Sequence, residues 1–286
     1  MKNQHLKYIT ELHLAMLFIS TSGVLGRYIS LPPEITIWWR CLFAVIILGV
    51  YCRFNNVSLK IYNKKDLKTI VLSGLFFGAH WVTYFYSLQL SNVAIAMLSI
   101  FTYPVITALL EPLFFKIKLN PKHIALGFLV LIGIYFLAPE LNIENDYTKG
   151  ILMGVISAVF YALRNLLLKK RIAKYDGSML MFYQMLAILF VLWPAFFIFK
   201  AAPSMNEWQA IIILALLTTA IGHTLFVRSF KNFSVTSASI MSSVQPIYGI
   251  LLGMLFLGEI PSYTTIIGGV LILSTVIIES VQSRKR

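Results

Sequence analysis

An apolar segment with a central proline occurs twice in this chain, at residues 93–114 and again at residues 235–256. Corresponding positions of the two copies are 142 residues apart, and the same spacing continues beyond the segment at Gly127 and Gly269. Identical residues at this spacing are Val93/Val235, Ala96/Ala238, Pro104/Pro246, Leu109/Leu251, Leu110/Leu252, Leu113/Leu255 and Phe114/Phe256. Self-similarity at one fixed spacing indicates that a chain is built from copies of one structural unit. The fold must therefore contain two related halves.

The composition indicates that both halves lie in lipid. Hydrophobic residues make up 58% of the chain and charged residues 12%, and the mean hydropathy is +0.80, whereas soluble proteins carry about 25% charged residues. Ten apolar stretches approach the length of about 20 residues that a helix needs to cross a bilayer. They are residues 12–29, 35–54, 67–90, 93–115, 123–138, 150–168, 179–199, 208–230, 235–257 and 263–278. Their apolar character is continuous rather than alternating, which favours helices over the strands of a membrane barrel.

The basic residues predict the orientation of these helices. Most of the 24 Lys and Arg residues lie in alternate loops, including the basic groups at residues 60–68 and 169–174. The positive-inside rule assigns such loops to the cytoplasm, so both termini are expected there as well. Although the net charge is +13, this alternating distribution argues against a nucleic-acid partner.

Ten helices divide into five and five at the acidic segment of residues 139–146, which gives repeats at residues 1–139 and 147–286. Since each repeat has an odd number of helices, the second must cross the membrane in the opposite orientation. The first helices of the halves also align, at a spacing of 137, through Met16/Met153, Ile19/Ile156, Ser20/Ser157 and Arg27/Arg164. The predicted fold is an all-α polytopic membrane protein of ten transmembrane helices, arranged as two inverted five-helix repeats with cytoplasmic termini. Many secondary transporters are built in this way.

Three groups of residues carry a resemblance to a known family. They are Pro32-Pro33 before a helix with Trp39 and Arg40, the run from Asn92 to Pro104, and Gln245-Pro246 through Phe256-Leu-Gly-Glu259 to Gly268-Gly269. With these features the chain resembles the EamA-type members of the drug/metabolite transporter superfamily over nearly its whole length. The resemblance implies a ten-helix carrier that exports or takes up amino acids, nucleotide-like compounds or other small metabolites. One departure is Lys116-Ile117-Lys118, where many relatives end the fourth helix with a Glu-Arg-like pair.

The two matching prolines mark the predicted binding region. Pro104 and Pro246 each remove a backbone donor, so the carbonyls of Ile100 and Ser242 lose their usual helical partners. Interrupted helices at matching positions of inverted repeats point to a transporter's substrate site, although a simple kink is the alternative. The predicted substrate site comprises Trp39, Arg40, His80, Trp81, Tyr84, Ser99, Tyr103, Tyr161, His223, Ser242, Gln245 and Tyr248. Hydrogen bonding between helices and core packing are the alternative roles for these side chains.

Arg40 is the leading candidate for direct substrate contact. A charged residue at the centre of a membrane helix costs about 2.5 to 3.5 kcal/mol on insertion scales, so it needs a specific partner. The guanidinium can bind a substrate carboxylate through two parallel hydrogen bonds. Alternatively, Arg40 extends to the outer interface or pairs with Glu34.

Three further charged residues lie within apolar stretches. Arg27 and Arg164 are near helix ends and are expected to extend to the membrane surface. Glu111 is expected to pair with Arg164 or Lys116. If Glu111 is instead unpaired and dehydrated, it can hold a proton at neutral pH and act as a proton carrier.

These features favour a transporter over an enzyme. No Asp lies inside an apolar stretch and no metalloprotease or serine-hydrolase motif is present, so a membrane enzyme is disfavoured. A non-transporting sensor or scaffold is disfavoured because no loop has room for a soluble domain. No cofactor and no metal site are expected. Cys41 and Cys52 are eleven positions apart on one helix, too far apart for a disulfide.

The prediction is therefore a transporter of the cytoplasmic membrane that exports amino acids or related polar metabolites by alternating access. The alternative is uptake or exchange of a nucleotide-linked metabolite such as S-adenosylmethionine, on whose ring Trp and Tyr side chains can stack. The expected partners are a small-molecule substrate and the bilayer, and the protein is expected to be a monomer or homodimer.

Overall fold

The computed structural model describes residues 2–116, 118–137, 142–169, 171–229 and 242–283, with backbone alone for residues 2–7 and 279–283. Within these residues helix is the only regular secondary structure. The elements are α1 (Lys2–Tyr28), α2 (Pro33–Phe54), α3 (Lys64–Leu90), α4 (Val93–Ile100), α5 (Tyr103–Phe115), α6 (Pro121–Leu137), α7 (Asp146–Leu168), α8 (Gly177–Leu192), α9 (Ala195–Phe199), α10 (Met205–Ile213), a π-helical segment (Leu214–His223), α11 (Thr224–Ser229), α12 (Gln245–Leu257) and α13 (Tyr263–Ser283). The prediction of an all-helical fold is confirmed for this part of the chain.

Five helical segments within the described residues are long and apolar enough to cross a membrane, namely Tyr8–Tyr28, Pro33–Phe54, Val93–Phe115, Asp146–Leu168 and Met205–Ser229. Shorter apolar helices cover Pro121–Leu137, Gly177–Leu192, Gln245–Leu257 and Tyr263–Ile278. Helix α3 has 27 residues and buries the polar side chains of Ser73, His80 and Ser87. The number of ten crossings and the location of the termini stay predictions.

Short polar side chains define several helix starts. Asn63, Asn92, Asn145 and Asp176 each accept a hydrogen bond from a backbone N–H in the first turn of the following helix. Such caps satisfy donors that the first turn leaves without helical partners. At the end of α12, Gly258 takes a left-handed conformation with φ of 67°, which glycine adopts without steric strain.

Both repeated prolines lie at the second position of a helix. Helix α4 ends at Ile100, and α5 begins at Tyr103 immediately before Pro104. Helix α12 begins at Gln245 immediately before Pro246. A proline is tolerated in the first turn, where its missing N–H would have no helical partner in any case. The start of the second repeated segment, residues 235–241, lies outside the described residues.

Helix contacts occur in pairs that are related by exchanging the two halves. Helix α6 packs on α13 and α2 on α8, so each of these helices contacts the one that occupies the same place in the other half. Helix α4 packs on α12, which at the spacing of 142 corresponds to α5. The extensive α3–α7 contact likewise corresponds to the contact of α1 with the π-helical segment. These pairs bring residues of both halves to the centre of the bundle.

Glycines permit two of the closest helix approaches. A Cβ atom on Gly268 would lie 2.6 Å from the carbonyl oxygen of Gly133, at the α6–α13 contact. A Cβ atom on Gly154 would lie 2.5 Å from Cβ of Ser99, between α4 and α7. Since neither backbone has room for a larger residue, these contacts hold the helices at fixed separations.

Candidate functional site

A cavity of about 20 Å³ lies at the centre of the bundle. Since a buried water needs about 10 to 15 Å³, the cavity has room for one water molecule and not for a metabolite. Its walls are Ile19, Ser22, His80, Trp81, Tyr84, Ile100, Phe101, Tyr103, Tyr161, His223 and Gln245. Seven residues of the predicted substrate site therefore meet here: His80, Trp81, Tyr84, Tyr103, Tyr161, His223 and Gln245.

Aromatic rings form a continuous cluster along the cavity. Ring centroids are separated by 4.1 Å for Phe77–Trp81, 4.5 Å for His80–Tyr161, 4.8 Å for Tyr103–Tyr161 and 5.1 Å for Phe77–His223. Aromatic faces carry negative partial charge, so they can bind flat rings and cationic groups. The rings thus give the cavity an apolar wall whose faces attract positively charged groups.

Arg40 lies beside this cluster and is completely buried. Its Nε donates to Thr219 Oγ1 at 2.6 Å, and its Cζ lies 3.7 Å from the centroid of the Trp81 ring. Both terminal nitrogens, Nη1 and Nη2, are without a hydrogen-bond partner. The alternative that Arg40 extends to the interface is wrong, because Arg40 is completely buried. Glu34 accepts from the hydroxyl of Tyr86 at 3.0 Å rather than from Arg40.

The π-helical segment positions the partner of Arg40. The hydroxyl of Thr219 lies 3.3 Å from the carbonyl of Leu214, to which it donates, five residues earlier in the chain. The wider π turn thereby carries Thr219 and His223 on the face of the helix that points into the bundle, where both are buried. Helices with π turns recur at functional sites in proteins.

Arg164 on α7 is a second completely buried guanidinium. It donates through Nε to Gln184 Oε1 at 3.0 Å and through Nη1 to Asn165 Oδ1 at 3.0 Å. Its Nη2 lies 3.6 Å from the sulfur of Met181, and its Cζ lies 4.3 Å from the centroid of the Phe77 ring. The expectation that Arg164 extends to the membrane surface is wrong, since these neutral partners on α7 and α8 hold it inside the bundle.

The two histidines have different surroundings. His80 Nδ1 lies 2.9 Å from Ser157 Oγ and 3.2 Å from the carbonyl oxygen of Ser157, and Ser157 Oγ donates to the carbonyl of His80 at 2.7 Å. The Nδ1 atom of His223 is buried without a partner. His80 is therefore fixed by α7, whereas His223 has hydrogen-bonding capacity left toward the cavity.

A hydrogen bond joins the two proline-bearing helix starts. The hydroxyl oxygens of Tyr103, next to Pro104, and Ser242, close to Pro246, are 2.9 Å apart. The two predicted interruptions thus meet at the centre of the bundle, beside the cavity.

Three residues of the predicted site lie elsewhere. Trp39 packs in a separate aromatic cluster, with ring centroids 4.7 Å from Trp208 and 4.9 Å from Trp38. Ser99 is at the close contact of α4 with α7, and Tyr248 packs half-buried against the core. None of the three lines the cavity.

One end of the bundle, here called the Arg27 end, is held by an ion pair between the halves. Arg27 Nε lies 3.0 Å from Glu259 Oε1, and Nη1 donates to the carbonyls of Leu88 and Gln89. Glu259 also accepts from the backbone N–H of Val93 at 2.8 Å. The Arg27 side chain is 35% exposed at this end, and its extension to the membrane surface stays a prediction.

The opposite end, the Asp66 end, is held by another cluster between the halves. Asp66 Oδ2 accepts from the hydroxyl of Tyr175 at 2.8 Å, and Oδ1 lies 2.6 Å from Nε of Arg171. The hydrogen bond from Tyr175 and the charges of Arg171 and Lys174 lower the pKa of Asp66 below its ordinary value, against the effect of burial. The carboxylate is therefore ionised at neutral pH.

Glu111 also lies toward the Asp66 end, where it pairs with Lys169 and not with Arg164 or Lys116. The Glu111 side chain is 29% exposed. The unpaired, dehydrated carboxylate that a proton-carrier role requires is therefore not found.

Sequence reasoning missed the partners of the two arginines. Phe77 contacts Arg164 and Trp81, and Gln184 and Thr219 fix the two guanidiniums. Phe77 could have been found, because it is one helical turn before Trp81. Gln184 lies in an otherwise apolar stretch, which is a further signal for a buried polar contact.

The chain is similar to curated transporters over most of its length. It is 26% identical to "Uncharacterized transporter YxxF" of Bacillus subtilis (strain 168), covering 93% of this chain and 87% of the relative. It is 22% identical to the pseudopaline exporter CntI of Pseudomonas aeruginosa, covering 91% and 92%. It is also 22% identical to the S-adenosylmethionine uptake transporter of Rickettsia conorii, covering 92% and 88%.

A solved structure and a family profile lead to the same assignment as these relatives. A solved crystal structure superposes with a TM-score of 0.71 at 19% identity and covers 98% of each chain, which supports the same fold. Residues 7–138 and residues 148–280 each match the sequence profile of the EamA-like transporter family, so the family domain is duplicated. The apolar helices of both copies place the protein in the cell membrane as a multi-pass protein. The chain therefore belongs to the EamA-like transporter family.

Proposed function

We propose that the protein is a secondary transporter that exports amino acids or related polar metabolites by alternating access. Family membership implies a small-molecule substrate and a surrounding bilayer. Similarity to a pseudopaline exporter supports outward transport. The substrate leaves chemically unchanged, so no enzymatic step is part of the proposal.

The observation that carries the proposal is the state of Arg40. Both of its terminal nitrogens are buried without partners, beside an aromatic cavity. A buried donor without a partner is unfavourable, and for a charged group the penalty is larger than for a neutral one. A substrate carboxylate can form two parallel hydrogen bonds with such a fork, so binding would remove this penalty. His223, Gln245 and the aromatic rings would contact the rest of the substrate.

The closed ends of the bundle fit a carrier between its two open states. Ion pairs join the halves at the Arg27 end and at the Asp66 end, and the central cavity has room for one water. In the proposed topology of ten spans, with inverted halves and cytoplasmic termini, these are the external and cytoplasmic ends respectively. The paired helix contacts support rocking of one half against the other. Substrate then enters when one end opens and leaves when the other does.

A second candidate is uptake or exchange of an S-adenosyl metabolite. The observation that favours it is the ring cluster around Trp81 and Tyr161, which offers faces for an adenine ring. Similarity to an S-adenosylmethionine uptake transporter points the same way.

Counterflow in proteoliposomes separates the two candidates. Vesicles are preloaded with pooled amino acids, or with pooled nucleosides and adenosyl compounds, and uptake of labelled members of each pool is measured. Stimulation by the amino-acid pool supports the first candidate, and stimulation by the adenosyl pool supports the second. Exchange with neither pool, in folded protein, would contradict both.

The Arg40→Ala variant tests the proposed contact. Transport should be lost, while the variant still folds and inserts. Arg53→Ala is the matched control, because Arg53 is an exposed arginine on the same helix. Full activity of Arg40→Ala would remove Arg40 from the site.

A further inference from the structure

Among the residues that the structure describes, the centre of the bundle contains two guanidinium groups and no carboxylate that pairs with them. Seven described acidic side chains have side-chain partners near the ends of helices. These are Glu34, Asp66, Glu111, Asp146, Asp176, Glu207 and Glu259. Among the described residues no carboxylate forms an ion pair with Arg40 or Arg164. Within the described part of the chain, two positive charges are therefore buried without counter-charge.

Both guanidiniums retain donors for a ligand. Each has five N–H groups in a rigid plane. Arg40 uses the one on Nε for Thr219, which leaves the four on its terminal nitrogens. Arg164 directs Nε, Nη1 and Nη2 to Gln184, Asn165 and Met181, which leaves one N–H on each terminal nitrogen. Two remaining donors are the number that one carboxylate accepts in a bidentate pair.

The two cations flank one pair of aromatic rings. Arg40 lies over Trp81 at 3.7 Å, and Arg164 lies over Phe77 at 4.3 Å. Phe77 and Trp81 are one turn apart on α3, with ring centroids 4.1 Å apart. Trp81 lines the cavity directly, and Arg164 is also within 6.0 Å of the ring of Tyr161, another wall residue. Both guanidiniums are thus adjacent to rings that line the cavity, and a small molecule in an enlarged cavity would lie near both charges.

We propose that the transported metabolite carries a net negative charge, with one anionic group on Arg40 and a second on Arg164. Acidic amino acids and dicarboxylates are the corresponding substrate class. The physical reason is that charge buried in a medium of low dielectric needs an opposite charge nearby, and here the substrate is the available source. Aromatic faces hold the cations in the empty state, and the anion replaces part of that stabilisation. This inference rests on the proposed function and narrows its substrate.

The test compares acids with their neutral amides in proteoliposome counterflow. L-glutamate and L-glutamine have nearly the same shape and differ by one charge, as do L-aspartate and L-asparagine. The acids should exchange at least about tenfold faster than the amides, since one charge-assisted contact is at stake. S-adenosylmethionine, which is cationic, should not exchange. Assays in gluconate and in chloride buffer should give the same result.

The Arg164→Gln variant tests the second subsite. It removes one charge, so the ratio of acid to amide exchange should fall about tenfold, because the amide then has a neutral partner. Arg164→Lys retains the charge and should retain the preference for acids. Lys149→Gln is the control, because it removes one positive charge from an exposed pair with Asp146 and should leave the ratio unchanged. A change in ratio is a readout that misfolding cannot produce.

The outcomes separate this inference from the proposed function. Faster exchange of amides or of S-adenosylmethionine than of acids would overturn the anionic substrate and leave transport intact. Amide exchange that depends on chloride would overturn it too, since an inorganic ion would then supply the charge. An unchanged ratio in folded Arg164→Gln would remove Arg164 from the site. No exchange of any compound would count against both proposals.

Discussion

Charges at the ends of the bundle and charges at its centre have opposite surroundings. At the Arg27 end, Arg27 meets the carboxylate of Glu259, and at the Asp66 end Asp66 meets Arg171. At the centre, Arg40 and Arg164 face aromatic rings, amides, a hydroxyl and a sulfur. Pairs at the ends hold the two halves together, whereas central charges without counter-ions destabilise the empty protein. The difference separates residues that close the carrier from residues that bind its substrate.

The sharpest test of this comparison is Arg40→Met, which replaces a buried charge by a flexible, unbranched apolar side chain. Transport should fall about 100-fold or more, because a desolvated charge contact is lost. Stability should rise, by an amount on the order of 1 to 4 kcal/mol, as for other buried charges replaced by apolar residues. Thermal unfolding in detergent measures the second effect. A lower melting temperature would show that Arg40 stabilises the empty protein, which contradicts the proposed difference between the centre and the ends.

At the Arg27 end, Glu259→Gln should lower the stability of the protein, whereas Arg40→Met should raise it. It removes the charge that Arg27 and the N–H of Val93 contact, so the protein should lose about 1 to 3 kcal/mol of stability. Accessibility of a single cysteine introduced near this end, measured with a membrane-impermeant thiol reagent, should increase as the end opens more often. Unchanged labelling would mean that the ion pair does not keep this end closed.

At the Asp66 end, the effect of Asp66→Asn should depend on pH. The pKa of Asp66 is lowered below 3.8 in the folded protein, so its stabilising contribution is complete at neutral pH and is lost as pH falls through the lowered value. The variant should melt at a lower temperature than the wild type at pH 7. The difference should shrink only below about pH 4. A constant difference down to pH 3 would contradict the role of the ionised carboxylate.

The smallest effect is expected for Glu111→Gln. The pair of Glu111 with Lys169 is partly exposed, and such pairs contribute about 1 kcal/mol or less. Transport driven by a pH gradient should be unchanged in this variant. A loss of pH-gradient dependence would restore Glu111 as a proton carrier and would add a functional charge outside the centre.

The helical membrane fold could be predicted from the sequence because the features that indicate it are local and occur in both copies. Continuous apolar runs predict helices in lipid, and Pro104 and Pro246 predict where helices begin again. Seven cavity residues were predicted, Tyr103 and Gln245 from their position next to these prolines and the other five from polar and aromatic residues on other helices. Each of these inferences needs only the spacing of residues along one helix or between two copies.

The partners of the charges were not readable, because they depend on which helices meet. Arg27 and Arg164 align in the two copies, yet one reaches Glu259 at an end and the other reaches Gln184 in the interior. Trp39 is next to Arg40 in sequence, but adjacent residues on a helix point in different directions, and it packs on Trp208 instead. The position of a residue along its helix predicts its depth in the membrane, whereas packing between helices determines which neighbours its side chain meets.

The π-helical segment implies that the count of residues in a helix, and not only their identity, determines part of the site. The hydroxyl of Thr219 accepts a hydrogen bond from Arg40 and donates one to the carbonyl of Leu214, five residues earlier in the same segment. Deleting one residue within this segment, such as the lipid-exposed Leu216, would let it wind as an ordinary α-helix. The spacing of side chains around the segment would then change, and Thr219 and His223 would no longer share a face with their present neighbours. A relative lacking that one residue would have a different binding surface even if every side chain named here were conserved.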